Sequence, residues 1–138
     1  MKNKLSCKKK DIQKNKLCNN CYNPIYLKFN FSFIQDKLEN IPPMHYKFIL
    51  KRLFELSQEA YNTIASWDKK RGFELEKIYL SKNLPEKFSK SNIKYDDKWC
   101  VIRIYPNNNP LPSRIIGKLV NKIFYIMFID IEGKLYNH

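Results

Sequence analysis

The chain has 138 residues, with 26 Lys and Arg against 13 Asp and Glu, a formal net charge of +13. That length suits one ordinary domain and excludes two, while 43% apolar and 14% aromatic residues supply a core and exclude wholesale disorder. No apolar run approaches the roughly 18 residues of a membrane span, and the cation-rich start lacks the apolar stretch of a secretory signal. The expectation is a cytoplasmic protein without a membrane partner.

So large a cation excess favours an acidic polymer, RNA first, because neutralising phosphates releases condensed counterions. The abundance of Lys, Asn, Ile, Tyr and Phe is also what an AT-rich coding sequence produces, so charge alone does not decide.

Residues 1–20 hold seven Lys against one Asp, and 1–23 read as a basic, cysteine-containing arm in which Lys8, Lys9 and Lys10 are candidates for phosphate contact. Cys18 and Cys21 have the spacing of a zinc knuckle, and Cys7 would add a third thiolate to a tetrahedral site. No second such pair follows, so free thiols are the alternative and zinc is the one cofactor suggested.

Residues 24–138 read as a single α+β domain. Ile25, Leu27, Phe29, Phe31 and Phe33 alternate with Tyr26, Lys28, Asn30 and Ser32, which predicts a half-buried strand over 25–34. Pro42 and Pro43 then open an amphipathic helix over about 44–67, with Phe48, Ile49, Leu53, Leu56, Ala60, Ile64 and Trp67 at three- and four-residue intervals. Gly72 suits its end, and Lys69, Lys70 and Arg71 would sit at the negative pole of its dipole. His45, on the apolar face, reads as a hydrogen-bonded core residue and not as a catalyst. Residues 73–98 stay open between strand and helix, with Asp96 and Asp97 expected to form a turn.

Three β-rich runs follow at 99–105, 114–120 and 123–131, split by the Pro- and Asn-rich stretch 106–110 and by Asn121 and Lys122. They predict an antiparallel meander. If Asn121 and Lys122 form a two-residue turn, Val120 pairs with Ile123 and Lys118 with Tyr125. The last strand is apolar on both faces, so it should be central and helix-covered.

Cleavage of RNA through its 2′-hydroxyl needs a base, an acid and cations around the phosphate. The meander offers Arg114 and Lys118 for the phosphate, and Tyr136 and His138 for proton transfer. Arg114 and Lys118 are four apart on a strand, so they share a face at about 13 Å. Lys28, Arg103, Tyr105, Tyr125 and Lys134 complete the candidates for holding backbone and bases. A plain solvated or binding face is the competing reading.

The order strand, helical region, then meander, with WCVIR at 99–103, RIIG at 114–117 and FYIMFID at 124–130, resembles RelE/ParE-type toxins, small basic proteins of toxin–antitoxin modules, over about 25–136. The resemblance implies a compact α+β fold, endoribonuclease activity from Arg, Lys, Tyr or His side chains near the C-terminus, and an antitoxin as partner. The rival expectation is a non-enzymatic inhibitor or adaptor, encoded by a phage or mobile element, that docks on a host nucleic-acid-processing complex.

Overall fold

Residues 24–137 are described by the structure, a computed structural model. In chain order they form β1 (Lys28–Asn30), 3-10 turns at Leu38–Asn40 and Pro43–His45, α1 (Tyr46–Ser57), α2 (Tyr61–Ala65), β2 (Glu74–Glu76), α3 (Glu86–Ser89), β3 (Trp99–Arg103), β4 (Arg114–Val120) and β5 (Ile123–Asp130). The fold is α+β. One five-stranded sheet runs β1-β5-β4-β3-β2, parallel only between β1 and β5.

The meander forms as its alternation and turn residues require. Asn121 and Lys122 both take left-handed φ, 53° and 63°, the geometry whose twist matches two right-handed strands joined by a tight hairpin. Val120 therefore pairs with Ile123, and Lys118 with Tyr125. A bulge beside Ile116 and Gly117 brings β4 and β5 very close, because a Cβ on Gly117 would lie 1.9 Å from the Tyr125 carbonyl oxygen. Only glycine fits there.

Both faces of the sheet are apolar. On one, Cys100, Ile102, Ile115, Phe124 and Ile126 pack against Leu53 and Leu56 of α1 and Ile64 of α2. On the other, Trp99, Val101, Ile116, Met127 and Phe128 meet Phe33 and Phe88, backed by Ile78, Leu80, Leu84 and Ile93. The expected helical cover of β5 thus holds for one face, while irregular chain from the 73–98 region, carrying only the short α3, closes the other. β5 is hydrogen-bonded on both sides, and β4 is the middle strand.

Three expectations are corrected. The strand expected over 25–34 is regular only at Lys28–Asn30, because the Asn30 side chain accepts the Ser32 N–H at 2.8 Å and turns the chain, leaving Phe31 exposed. The single helix over 44–67 is two: Ala60 is extended at ψ 147°, bridged to Tyr26, and the Tyr61 N–H donates to the Ile25 carbonyl at 2.7 Å. Pairing between distant segments overrides local helix propensity there. Lys69, Lys70 and Arg71 consequently follow no helix end; the Asp68 carboxylate accepts the N–H groups of Lys70 and Arg71 instead.

Arg52 ties the helical layer to the sheet. From α1 its Nε donates to the Arg103 carbonyl at 2.7 Å, Nη2 to the Gly72 carbonyl at 3.2 Å, and Nη1 to Glu55 at 3.1 Å. Burial lowers its pKa, and the hydrogen bond and charge of Glu55 oppose the shift. Among the described residues no helix is long and apolar enough to cross a membrane.

The close approach at Gly117 is directly testable. Gly117→Ala should destabilise the protein by about 3 kcal/mol or more, because strand backbone and not a flexible side chain stands in the way. Urea unfolding measures it; a loss below about 1 kcal/mol would show that β4 and β5 can separate without cost.

Candidate nucleic-acid interface

The groups expected to cut RNA are drawn partly together, but into the protein. Arg103 and Arg114 stand opposite one another on β3 and β4, and Arg114 also faces Asp130 on β5. Both arginines are buried. The Arg103 guanidinium donates to the Pro106 carbonyl at 2.9 Å, and that of Arg114 to the Asn108 side chain at 2.8 Å and the Ser113 carbonyl at 3.1 Å. Among the described residues the Nε of each is buried without a hydrogen-bond partner.

Tyr136 reaches Arg114 by a hydrogen bond. Burial raises the phenol's pKa above its ordinary value, and Arg114 offsets this only in part. Tyr136 therefore keeps its proton at neutral pH, and its oxygen accepts from the Arg114 guanidinium. Glu74 and Glu76 on β2 belong to the same neighbourhood, and of the two readings left open for the start of 73–98 the strand is the one that forms, in keeping with the alternation of Phe73 to Glu76. The Glu76 pKa is raised by burial first and then by Glu74, against Lys69 and Arg114.

Lys118 is held differently. It is 4% exposed, its Nζ donates to the carbonyls of Asp96 at 3.0 Å and Lys98 at 2.8 Å, and it lies 4.2 Å from the Trp99 ring centroid. Burial lowers its pKa, opposed by Asp96 and Asp97. The expected turn at Asp96 is present, with its side chain accepting the Lys98 N–H, and Lys118 fastens that turn to the sheet. Its ammonium is committed to internal acceptors.

Lys118, Arg114, Arg103, Tyr105 and Tyr125, the candidates for contact with RNA on the meander, lie inside the protein. All five are buried, because the sheet face that alternation assigns to the charged residues is covered, and Tyr105 turns to His45 instead. Lys28 and Lys134 are exposed, Lys134 pairing with Glu132 at 2.6 Å. His138, Lys8, Lys9, Lys10 and the proposed zinc ligands Cys7, Cys18 and Cys21 lie outside the described residues. Among those described, no group of three His, Cys, Asp or Glu could hold a metal, and burial raises the pKa of the Cys100 thiol.

An outward basic surface lies on the segment that closes the second sheet face. Lys77, Lys82, Lys87, Lys90, Lys94 and Lys98 are all exposed. Lys77 pairs with Asp97 and Lys90 with Glu86, whereas the other four have no ion pair among the described residues. Exposed aromatic rings stand among them: Tyr79 is 96% exposed, Phe31 54% and Tyr95 43%. The inner apolar residues fix this segment to the sheet, so its lysines are presented on a supported surface.

A cleft of about 770 Å³ separates residues 36–45 from 129–135 and is lined by Lys37, Asn40, His45, Lys82, Asp130 and Lys134 among others. His45 is buried as expected, its Nδ1 2.6 Å from the Tyr105 hydroxyl. A second cleft of about 610 Å³ is flanked by Trp67, with the Arg71 guanidinium 3.9 Å from its ring centroid. On α1, Tyr46, Leu50 and Phe54 form an exposed apolar ridge at i, i+4 and i+8.

Comparisons with protein-family models, with curated proteins and with solved structures return no match.

If Lys118 is a structural cation, Lys118→Met should cost about 2 kcal/mol in urea unfolding, since two carbonyls lose their donor. RNA affinity of the folded variant should stay within about twofold of wild type, a change below 0.5 kcal/mol. Unchanged stability with a large loss of affinity would make Lys118 a contact residue.

Proposed function

We propose that the chain binds RNA, alone or within a ribonucleoprotein, chiefly through the outer surface of residues 77–98. The observation that carries this reading is the set Lys82, Lys87, Lys94 and Lys98, exposed and without carboxylate partners, interleaved with exposed Tyr79 and Tyr95. Cations track a phosphate backbone and rings stack unpaired bases, a combination suited to single-stranded RNA and tolerant of sequence. The net charge of +13 adds long-range attraction. The apolar ridge of α1 supports a protein contact as well, hence a ribonucleoprotein.

A second reading is RNA cleavage of the kind the toxin resemblance implies. It is favoured by one observation, that Arg114, Tyr136 and Glu76 interact electrostatically, with both acidic groups raised in pKa. Raised acids beside a cation mark functional sites, and also structural ion networks. The internal hydrogen bonds of Arg114 favour the structural role, so binding without cleavage is the primary reading.

Both readings are tested on one set of proteins. Affinity for a short single-stranded RNA, measured by fluorescence anisotropy, should fall steeply with salt, and changing Lys82, Lys87, Lys94 and Lys98 together to Gln should reduce the log–log slope by up to about 3. An unchanged slope would remove this surface from the interface. Cleavage assayed with and without ribosomes should be absent from wild type and Tyr136→Phe alike; activity in wild type lost in Tyr136→Phe would install the second reading.

A further inference from the structure

We propose that the cleft between residues 36–45 and 129–135 is a binding site for one phosphate-type oxyanion, gripped by the Nε2–H of His45 and the ammonium groups of Lys37 and Lys82. The site deepens the RNA-binding reading and rests on it for its natural ligand.

The argument begins at Tyr105. Its side chain is 6% exposed, and its hydroxyl makes one hydrogen bond among the described residues, to His45 Nδ1 at 2.6 Å. A buried phenol must give its proton to an acceptor, and Nδ1 is the one in reach. Burial raises the Tyr105 pKa, so the phenol keeps its proton at neutral pH. An imidazole that accepts this proton at Nδ1 carries its own on Nε2, the tautomer being set by the bond to Tyr105.

Nε2 has no hydrogen-bond partner among the described residues, although His45 is only 4% exposed. His45 is among the residues that line the 770 Å³ cleft. Among the described residues the fully buried unpartnered side-chain atoms are Arg103 Nε and Arg114 Nε, so His45 Nε2 keeps access to solvent, and the cleft that His45 lines is where an acceptor can reach it.

The charges of the lining decide what kind of acceptor. Lys37, Lys82 and Lys134 face Asp36, Asp130 and Glu132, so formal charges balance. Engagement does not balance. Asp36 accepts the Ile129 N–H at 2.7 Å, Asp130 accepts the N–H groups of Lys134 and Leu135 at 3.0 and 2.9 Å, and Glu132 pairs with Lys134 at 2.6 Å. Lys37 and Lys82 have no carboxylate partner among the described residues. What the cleft has left is mainly donor, two of the three groups charged, which suits a group rich in acceptor oxygens and negatively charged. Free phosphate and a phosphodiester of RNA share that chemistry. Lys82 also belongs to the 77–98 surface, so a strand lying there has a route by which one phosphate enters the cleft.

The test uses the full chain labelled with ¹⁵N and long-range ¹H–¹⁵N imidazole spectra, in which only two histidines appear, His45 and His138; His138→Ala assigns them. Without ligand, His45 should show Nδ1 unprotonated and Nε2 protonated. Titration with inorganic phosphate, and separately with a short oligouridylate, at ionic strength held constant by chloride, should shift the His45 Nε2 signal to saturation. Changing Lys37 and Lys82 to Gln should raise the midpoint about tenfold or more while leaving the amide spectrum folded. A shift with phosphate alone supports the oxyanion site and assigns it to free phosphate; a shift with oligouridylate, with or without phosphate, assigns it to RNA. An Nδ1–H tautomer, or no His45 response to either probe, overturns the site. If anisotropy still reports salt-dependent RNA binding in that case, the proposal for the 77–98 surface survives and only the cleft fails.

Discussion

The constraint on which the rest of the structure depends is that β5 is apolar on both faces. A strand with one apolar face can leave the other to water, but Phe124 and Ile126 point one way while Tyr125 and Met127 point the other, and all are buried. Two covers are therefore obligatory. Helices α1 and α2 provide one by ordinary amphipathic packing, with Arg52 fastening α1 to the β3 backbone. The other comes from chain with little regular structure, held residue by residue through Ile78, Leu80, Leu84, Phe88 and Ile93.

The second cover explains why the protein's cations divide into two populations. Arg103, Arg114 and Lys118 project from the sheet into the space it closes, where each is tied to carbonyl or amide oxygens. Their cost of desolvation is offset by these bonds and, for Lys118, by the faces of Trp99 and Tyr95. The lysines of the cover, Lys77, Lys82, Lys87, Lys90, Lys94 and Lys98, are exposed. A strand that looks basic in sequence thus contributes structure, and a segment without clear periodicity carries exposed cations.

The meander was legible because each of its signals is local: alternation over five to eight residues, and Asn121 and Lys122 between two runs. The break near Ala60 was not legible, since no Gly or Pro marks it and its cause is pairing with Tyr26, some thirty residues away in sequence. Residues 73–98 gave mixed periodicity for a physical reason. Their apolar residues are spaced by the shape of the sheet they cover and not by a helix or strand of their own. Alternation correctly placed Arg114 and Lys118 on one face, but it carries no information on whether that face is covered. His45 could be read as a core residue from its helical spacing, whereas its Tyr105 partner, sixty residues on, could not.

The most direct measurement is lysine-reactivity footprinting: acetylate the free protein and its complex with single-stranded RNA under matched conditions, and locate the modified amines by mass spectrometry. Lys118 should be unreactive in both states, and Lys82, Lys87, Lys94 and Lys98 reactive in the free protein and protected by RNA. Lys118 reactive when free and protected in the complex, or the four outward lysines indifferent to RNA, would contradict the division of cations on which the account rests.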